Sequence, residues 1–270
     1  MRRAFTLIEM TVVLVVIAIV ARLAVREMSR VKDRRLSSAA DRQLEDLRRA
    51  VWDVRDGEPA GFLADMGRMP RSADGTLSEL WTLPQGAARY AVKPASAENL
   101  CVPDSDAAEL ADPSVVVPTG WRGPYVDLPV SSSRLRDPWG NPVEAEDSAG
   151  MRRLWVTNSF VAAVSHYGSP ARLENARTVS LEPAGGAEAS LVVTSEIVSG
   201  DPVAGSVTYK WYGPASGLVT GAVMTVEYPS PARFEGLTPG IRIVKDSISG
   251  VPRPVSVRPG ENMLHIRIAR

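Results

Sequence analysis

Cysteine is nearly absent from this chain: Cys101 is the single one in 270 residues. That excludes an intrachain disulfide framework, so an extracytoplasmic location has to be argued from other features. Histidine is almost as scarce, with only His166 and His265. Two histidines and one cysteine so far apart do not make a zinc site. No G-x-S-x-G segment occurs, and Ser165 beside His166 cannot form a nucleophile–base pair by adjacency. These shortages point away from an enzyme, and no cofactor is expected. Net charge is missing as well, 31 Lys plus Arg standing against 31 Asp plus Glu. A broad basic face for nucleic acid is therefore not expected. Aromatic residues make up 6%, and the six tryptophans are widely spaced, which suits several small cores better than one large one.

Helix breakers are missing from the first part of the chain: neither proline nor glycine occurs from Phe5 to Asp56. The opening reads MRRAFTLIEMTVVLVVIAIVARLAV. Its apolar run over 5–25, at 1.5 Å per residue, is about 30 Å long and predicts the transmembrane half of a helix. Beyond it, Val31, Leu36, Ala39 or Ala40, Leu44, Leu47, Val51 and Val54 recur at steps of three and four, the stripe of an amphipathic half over 26–57. Asp56, Gly57 and Pro59 then serve as its C-terminal stop. Glu9 stands out, because an ionised carboxylate at membrane depth is costly and marks a functional position. Arg22, Arg26, Arg30, Arg34 and Arg35 follow the apolar run, whereas only Arg2 and Arg3 precede it. That distribution runs against the positive-inside rule for an N-in helix, although Glu27 and Asp33 offset part of it.

Residues 58–181 are rich in loops, with strand candidates at Arg153 to Asn158 and Val161 to Ser165 between turn signals such as Tyr167-Gly168-Ser169-Pro170. A small antiparallel-sheet domain lying on the outer half of the helix is expected. The stretch EPAGGAE over 182–188 reads as a linker. After it, 189–270 alternates apolar and polar residues at about ten-residue spacing between Gly, Pro and Ser, the pattern of a β-sandwich. The fold class is thus α+β.

A short basic leader ending in a small residue, followed by Phe5-Thr6-Leu7-Ile8-Glu9 at the head of an apolar helix, closely resembles the N-terminus of type IV pilins and of type II secretion pseudopilins. The segment WRGPYVDLPVSSSRLRDPWGNPV is similar to the start of the major pseudopilin's globular domain, through Trp121, Gly123, Pro124 and Tyr125 and then Asp137, Pro138, Trp139, Gly140 and Asn141. The resemblance implies a 1–4 leader cut between Ala4 and Phe5 by a prepilin peptidase, with N-methylation of Phe5. Ala4 departs from the usual glycine. It further implies that Glu9 meets the Phe5 amine of a neighbouring subunit, and physical reasoning agrees, since burying either charge alone is expensive. Partners implied are other pilin-like subunits, an inner-membrane assembly platform and membrane lipid, with the globular parts in the periplasm. A pseudopilus subunit of a type II secretion system is the reading. The alternatives are a minor subunit of a type IV pilus or DNA-uptake filament, and a monomeric membrane-anchored binding module.

The Asp137–Asn141 segment has local structural reasons for each residue: Asx-type turns, glycine dihedrals, and Trp139 filling core beside Trp121 and Tyr125. The calcium loop of major pseudopilins would fall at VSHYGSPARLEN, which lacks the aspartates a hard cation needs. DSDAAELAD, with Asp104, Asp106, Glu109 and Asp112, reads as a solvated acidic loop, and no metal is expected. The end of the chain, ARFEGLTPGIRIVKDSISG and onward, is similar to small transthyretin-like or carboxypeptidase-regulatory-like modules, which implies a β-sandwich and nothing more.

Overall fold

The computed structural model describes residues 7–71, 76–129, 132–140, 143–147, 160–164, 177–181, 188–199 and 205–269. One helix, α1 (Leu7–Val51), opens the chain and is roughly 67 Å long at 1.5 Å per residue. Ala40, Leu44, Leu47, Ala50 and Val51 are buried, a stripe one side of a helix wide. Before Leu36 every described side chain of α1 is exposed. The helix is therefore held by its last turns and stands free over about 40 Å of its length. Val31, expected on the packed stripe, is 46% exposed.

Two expectations about α1 need correction. Among the described residues no helix is long and apolar enough to cross a membrane. The stretch free of charge between Glu9 and Arg22 runs from Met10 to Ala21, about 18 Å against the roughly 30 Å of a hydrocarbon core. The transmembrane half assigned to 5–25 is not supported by the helix itself. The second correction concerns its end. The helix stops at Val51, and strands β1 (Asp53–Arg55) and β2 (Glu58–Ala60) follow as an antiparallel hairpin. Asp56 and Gly57 both have positive φ, 54° and 85°, the backbone of a two-residue primed turn, for which Asp-Gly is a favoured pair. Asp56 and Gly57, expected as a helix stop, instead turn a hairpin, which leaves Val54 exposed.

The buried stripe of α1 packs on Phe62 and Met66 of α2 (Phe62–Met66), on Leu77 and Leu80 at a 3-10 turn, and on Trp121, Leu135, Val143 and Leu181. Strands β5 (Val143–Asp147), β6 (Phe160–Val164) and β7 (Arg177–Ser180) form an antiparallel sheet, and β6 and β7 run alongside α1. The strand candidate at Val161 to Ser165 corresponds to β6. The candidate at Arg153 to Asn158 and the turn at Tyr167 to Pro170 lie outside the described residues. Between α2 and this sheet, β3 (Ala91–Ala95) pairs with β4 (Asp112–Thr119), and α3 (Asp104–Leu110) joins them. The acidic segment expected as a loop is thus a short helix running into a strand. Its last acid, Asp112, pairs with Lys245 at 2.5 Å.

The C-terminal region is a sandwich. One sheet has the order β10 (Leu218–Glu227), β9 (Ser206–Ala215), β12 (Gly240–Asp246), β13 (Arg253–Val257). The other has the order β11 (Ala232–Leu237), β8 (Ala189–Ser199), β14 (Gly260–Ala269). Leu191, Val193, Phe234, Ile266 and Ile268 from the second sheet meet Val207, Tyr209, Val244 and Val257 from the first. β14 pairs with β8 in parallel, Met263 opposite Val192 and Ile266 opposite Ser195.

The sandwich is not packed apart from the rest. Leu110, Val115 and Val117 share a core with Tyr212, Val219 and Ile243. Backbone bonds tie the units further: Cys101 N–H to the Val219 carbonyl at 2.7 Å, and Ser216 N–H to the Met66 carbonyl at 2.8 Å. Gly67 adopts φ 68°, and a Cβ there would lie 1.9 Å from the Pro214 carbonyl oxygen. Arg242, 1% exposed, donates to the Thr238 and Ile241 carbonyls and lies 5.8 Å from the Trp211 ring centre. The stretches 58–181 and 189–270 thus meet over a common interior.

Candidate functional site

The residues singled out in the sequence fall in two places far apart along the molecule. Ala4 and Phe5 lie outside the described residues, and Glu9 belongs to the first turns of α1. Around it the helix carries exposed apolar side chains on every side: Ile8 is 73%, Leu14 62% and Val25 65% exposed. None of these is covered by the described residues of the globular part. A soluble chain would not keep so many large apolar side chains in water without a partner.

The second place is the junction of α1, α2 and the segment after β4. Here Trp121 is buried, and Tyr125 and Trp139 pack on the same core from its edge. The Trp121 indole N–H donates to the Glu79 carbonyl at 2.8 Å, which pins the loop to the 3-10 turn. Tyr125 packs edge-on to Phe62 and Trp121, at 5.6 and 6.2 Å between ring centres. Gly123 must be glycine on grounds of space: a Cβ would lie 2.7 Å from the Trp121 ring and 2.8 Å from the Tyr125 ring. The Gly123–Pro124 bond is cis.

A charge network that the sequence reading missed closes this junction. Tyr125 donates to Asp65 Oδ2 at 3.0 Å, and Arg122 pairs with Asp65 Oδ1 at 3.0 Å. The Arg122 guanidinium also sits 4.1 Å from the centre of the Tyr90 ring. Burial pushes the Asp65 carboxyl above its ordinary range, against the pull of Arg122 and Tyr125. The same burial, with Asp65 alongside, pushes the Tyr125 phenol up. Arg68 and Glu79 form a two-pronged pair at 2.6 and 3.0 Å beside it. No spacing rule connects Asp65 to Arg122, so only the fold could reveal them. A lone Asp inside the apolar GFLADM segment was the available hint.

The Asp137–Gly140 turn docks on α1. Asp137 is buried and accepts the Trp139 N–H at 3.0 Å, its carbonyl accepts the Gly140 N–H at 2.9 Å, and Gly140 has φ 93°. Gln43 of α1 donates to the Arg136 carbonyl at 2.8 Å, fastening turn to helix. Pro138 stands between them, half-buried, and Asn141 lies outside the described residues. These groups hold the globular part onto the helix. No nucleophile, base and open cleft come together among them. What the arrangement offers is a globular part fastened to one end of a helix whose other end carries exposed apolar side chains.

No curated protein matches the chain. A match to a family model, described as prokaryotic N-terminal methylation motif, covers residues 1–21. It takes in the leader, Phe5, Glu9 and the first turns of the bare helix. The motif suggests a membrane-anchored N-terminus and implies processing by a prepilin peptidase and assembly with other pilin-like subunits. This chain therefore carries at its N-terminus the hallmark of type IV pilin and pseudopilin prepilin-peptidase substrates.

Proposed function

We propose that the protein is a structural, non-catalytic subunit of a periplasmic pseudopilus, cut before Phe5 and polymerised through its N-terminal helix. The carrying observation is the exposure of apolar side chains from Ile8 to Val25 on a helix that projects free of its globular body. Before assembly that surface is covered by membrane lipid, and afterwards by the helices of neighbouring subunits. Glu9 sets the axial stagger by meeting the Phe5 amine of a neighbour, since a mispaired register strands a charge in an apolar bundle. The inner-membrane assembly platform and the periplasmic placing of the globular body belong to this reading. In this reading the sandwich is the part that contacts cargo or other subunits.

The test has two stages. The chain is expressed with and without a prepilin peptidase, and the mature N-terminus is read by mass spectrometry. Cleavage between Ala4 and Phe5 with one added methyl group is expected, and an intact Met1 in both samples would defeat the proposal. Glu9→Ala is then expected to keep membrane association and lose the ladder of crosslinked copies. A ladder that survives removes the assigned role of Glu9.

A further inference from the structure

Beyond the apolar run, α1 carries a column of exposed arginines. Arg22, Arg26, Arg30 and Arg34 follow at intervals of four, so they line one gently turning side of the helix over about 18 Å. All four are exposed. Lys32 and Arg35 add to the band, and its carboxylates are Glu27 and Asp33, leaving a surplus of four positive charges in a chain whose net charge is zero. Of these cations only Arg30 has a carboxylate partner among the described residues, Glu27 at 2.6 Å, with both side chains more than half exposed. The exposed column starts within the bare apolar surface and runs beside its continuation at Val25, Met28 and Val31.

We infer that this column is a binding surface for the phosphates of anionic phospholipids, an inference that rests on the membrane anchoring proposed above. Charge and position both favour that occupant. Cationic side chains next to an inserted helix attract an anionic lipid surface. The length of the helix points the same way. The stretch free of charge from Met10 to Ala21 falls short of the hydrocarbon core, so Arg22 stands within a side chain's reach of the bilayer boundary and not in water beyond it. Long arginine side chains bury their stems in apolar surroundings while their guanidinium groups reach phosphates. Arg26, Arg30 and Arg34 continue the contact along the headgroup layer. The arginines that oppose the positive-inside pattern thus act as a lipid seat that fixes how far the helix sinks.

The full chain is transferred from detergent into vesicles of phosphatidylcholine alone or of phosphatidylcholine mixed with phosphatidylglycerol, and its distribution between the two is measured. The wild type is expected to favour phosphatidylglycerol by roughly fivefold per arginine engaged, and raised salt weakens that preference. The triple change Arg26→Gln, Arg30→Gln and Arg34→Gln should lower it on the order of 100-fold and leave entry into phosphatidylcholine unchanged. Equal distribution of the wild type, or a preference that survives the triple change, overturns the lipid contact while leaving the anchoring intact. Failure of the wild type to enter either vesicle overturns the anchoring and this inference with it. Suppose instead that the wild type shows no lipid preference and the triple change abolishes crosslinking between copies in phosphatidylcholine. The column then faces carboxylates of a second copy, and the inference is wrong.

Discussion

The Tyr125 hydroxyl donates to Asp65 Oδ2 at 3.0 Å, joining two residues sixty positions apart in the chain. The same hydroxyl accepts the Arg122 N–H at 3.0 Å. Tyr125→Phe therefore leaves a backbone donor and a buried carboxylate each short of a partner. A loss of about 1–3 kcal/mol is expected, read from urea denaturation by tryptophan fluorescence. A change within error would show that water replaces the phenol at no cost.

Asp65 also gives the protein an unusual response to acid. Its folded pKa is raised above 3.8, chiefly by burial, so the folded state prefers the protonated form more than the unfolded chain does. The contribution of this group is fullest below 3.8 and is lost as pH climbs through the raised value. Stability of the wild type relative to Asp65→Asn should accordingly increase as pH falls from neutrality toward 3.8. Denaturation at several pH values checks the sign, and a difference moving the other way would contradict the burial argument.

Asp246 should behave in the opposite sense. It is 1% exposed, accepts the Ile248 N–H at 3.0 Å and pairs with Arg253 at 2.7 Å. Burial works against its charge, but the bonds from Ser249 and Arg253 prevail and hold its carboxyl below 3.8. Its contribution is complete above 3.8 and is lost as pH falls through the lowered folded value. Asp246→Asn is expected to cost on the order of 1.5–3 kcal/mol at neutral pH, and the cost should shrink only in stronger acid.

Two glycines of the aromatic junction should respond to substitution for different reasons. At Gly140 a Cβ would meet nothing within 4 Å, and only φ 93° resists it. Gly140→Ala should cost about 1 kcal/mol or somewhat more. At Gly123 the obstacle is two aromatic rings, so Gly123→Ala must displace Trp121 or Tyr125 and should cost more. Thermal unfolding of the two variants orders them, and the reverse order would show that the rings move freely.

Processing has its own test. Ala4 stands where glycine is usual in the resembling family, so Ala4→Gly is expected to speed cleavage before Phe5 in a time course with prepilin peptidase. An equal rate would show that this peptidase does not distinguish the two small residues.

Local patterns were legible in the sequence, and distant ones were not. The steps between Ala40, Leu44, Leu47 and Val51 set the packed side of α1, and alternation marked the strands of the sandwich. Asp56-Gly57 reads as the end of the helix yet forms the hairpin turn, because the pair suits both a helix end and a primed hairpin turn. The acidic run before β4 looked like a loop because its charges hid the apolar Leu110, which is fully buried against the sandwich. Lys245 with Asp112, and Gly67 against Pro214, depend on segments more than a hundred residues apart, and no periodicity encodes such meetings. Charge spacing made the arginine column visible, whereas its freedom from the globular part needed the structure.

The parallel pairing of β8 with β14 sets a schedule for the molecule. The strand that opens the sandwich is hydrogen-bonded to the one that closes it, with every other strand of both sheets lying between them in the chain. While the chain is being made or moved across a membrane, β8 emerges early and must wait with one edge unmatched. A peptide segment in that state is open to wrong pairings. The sandwich can set only after its final strand arrives, so under the proposed function subunits would join a filament only once delivered whole.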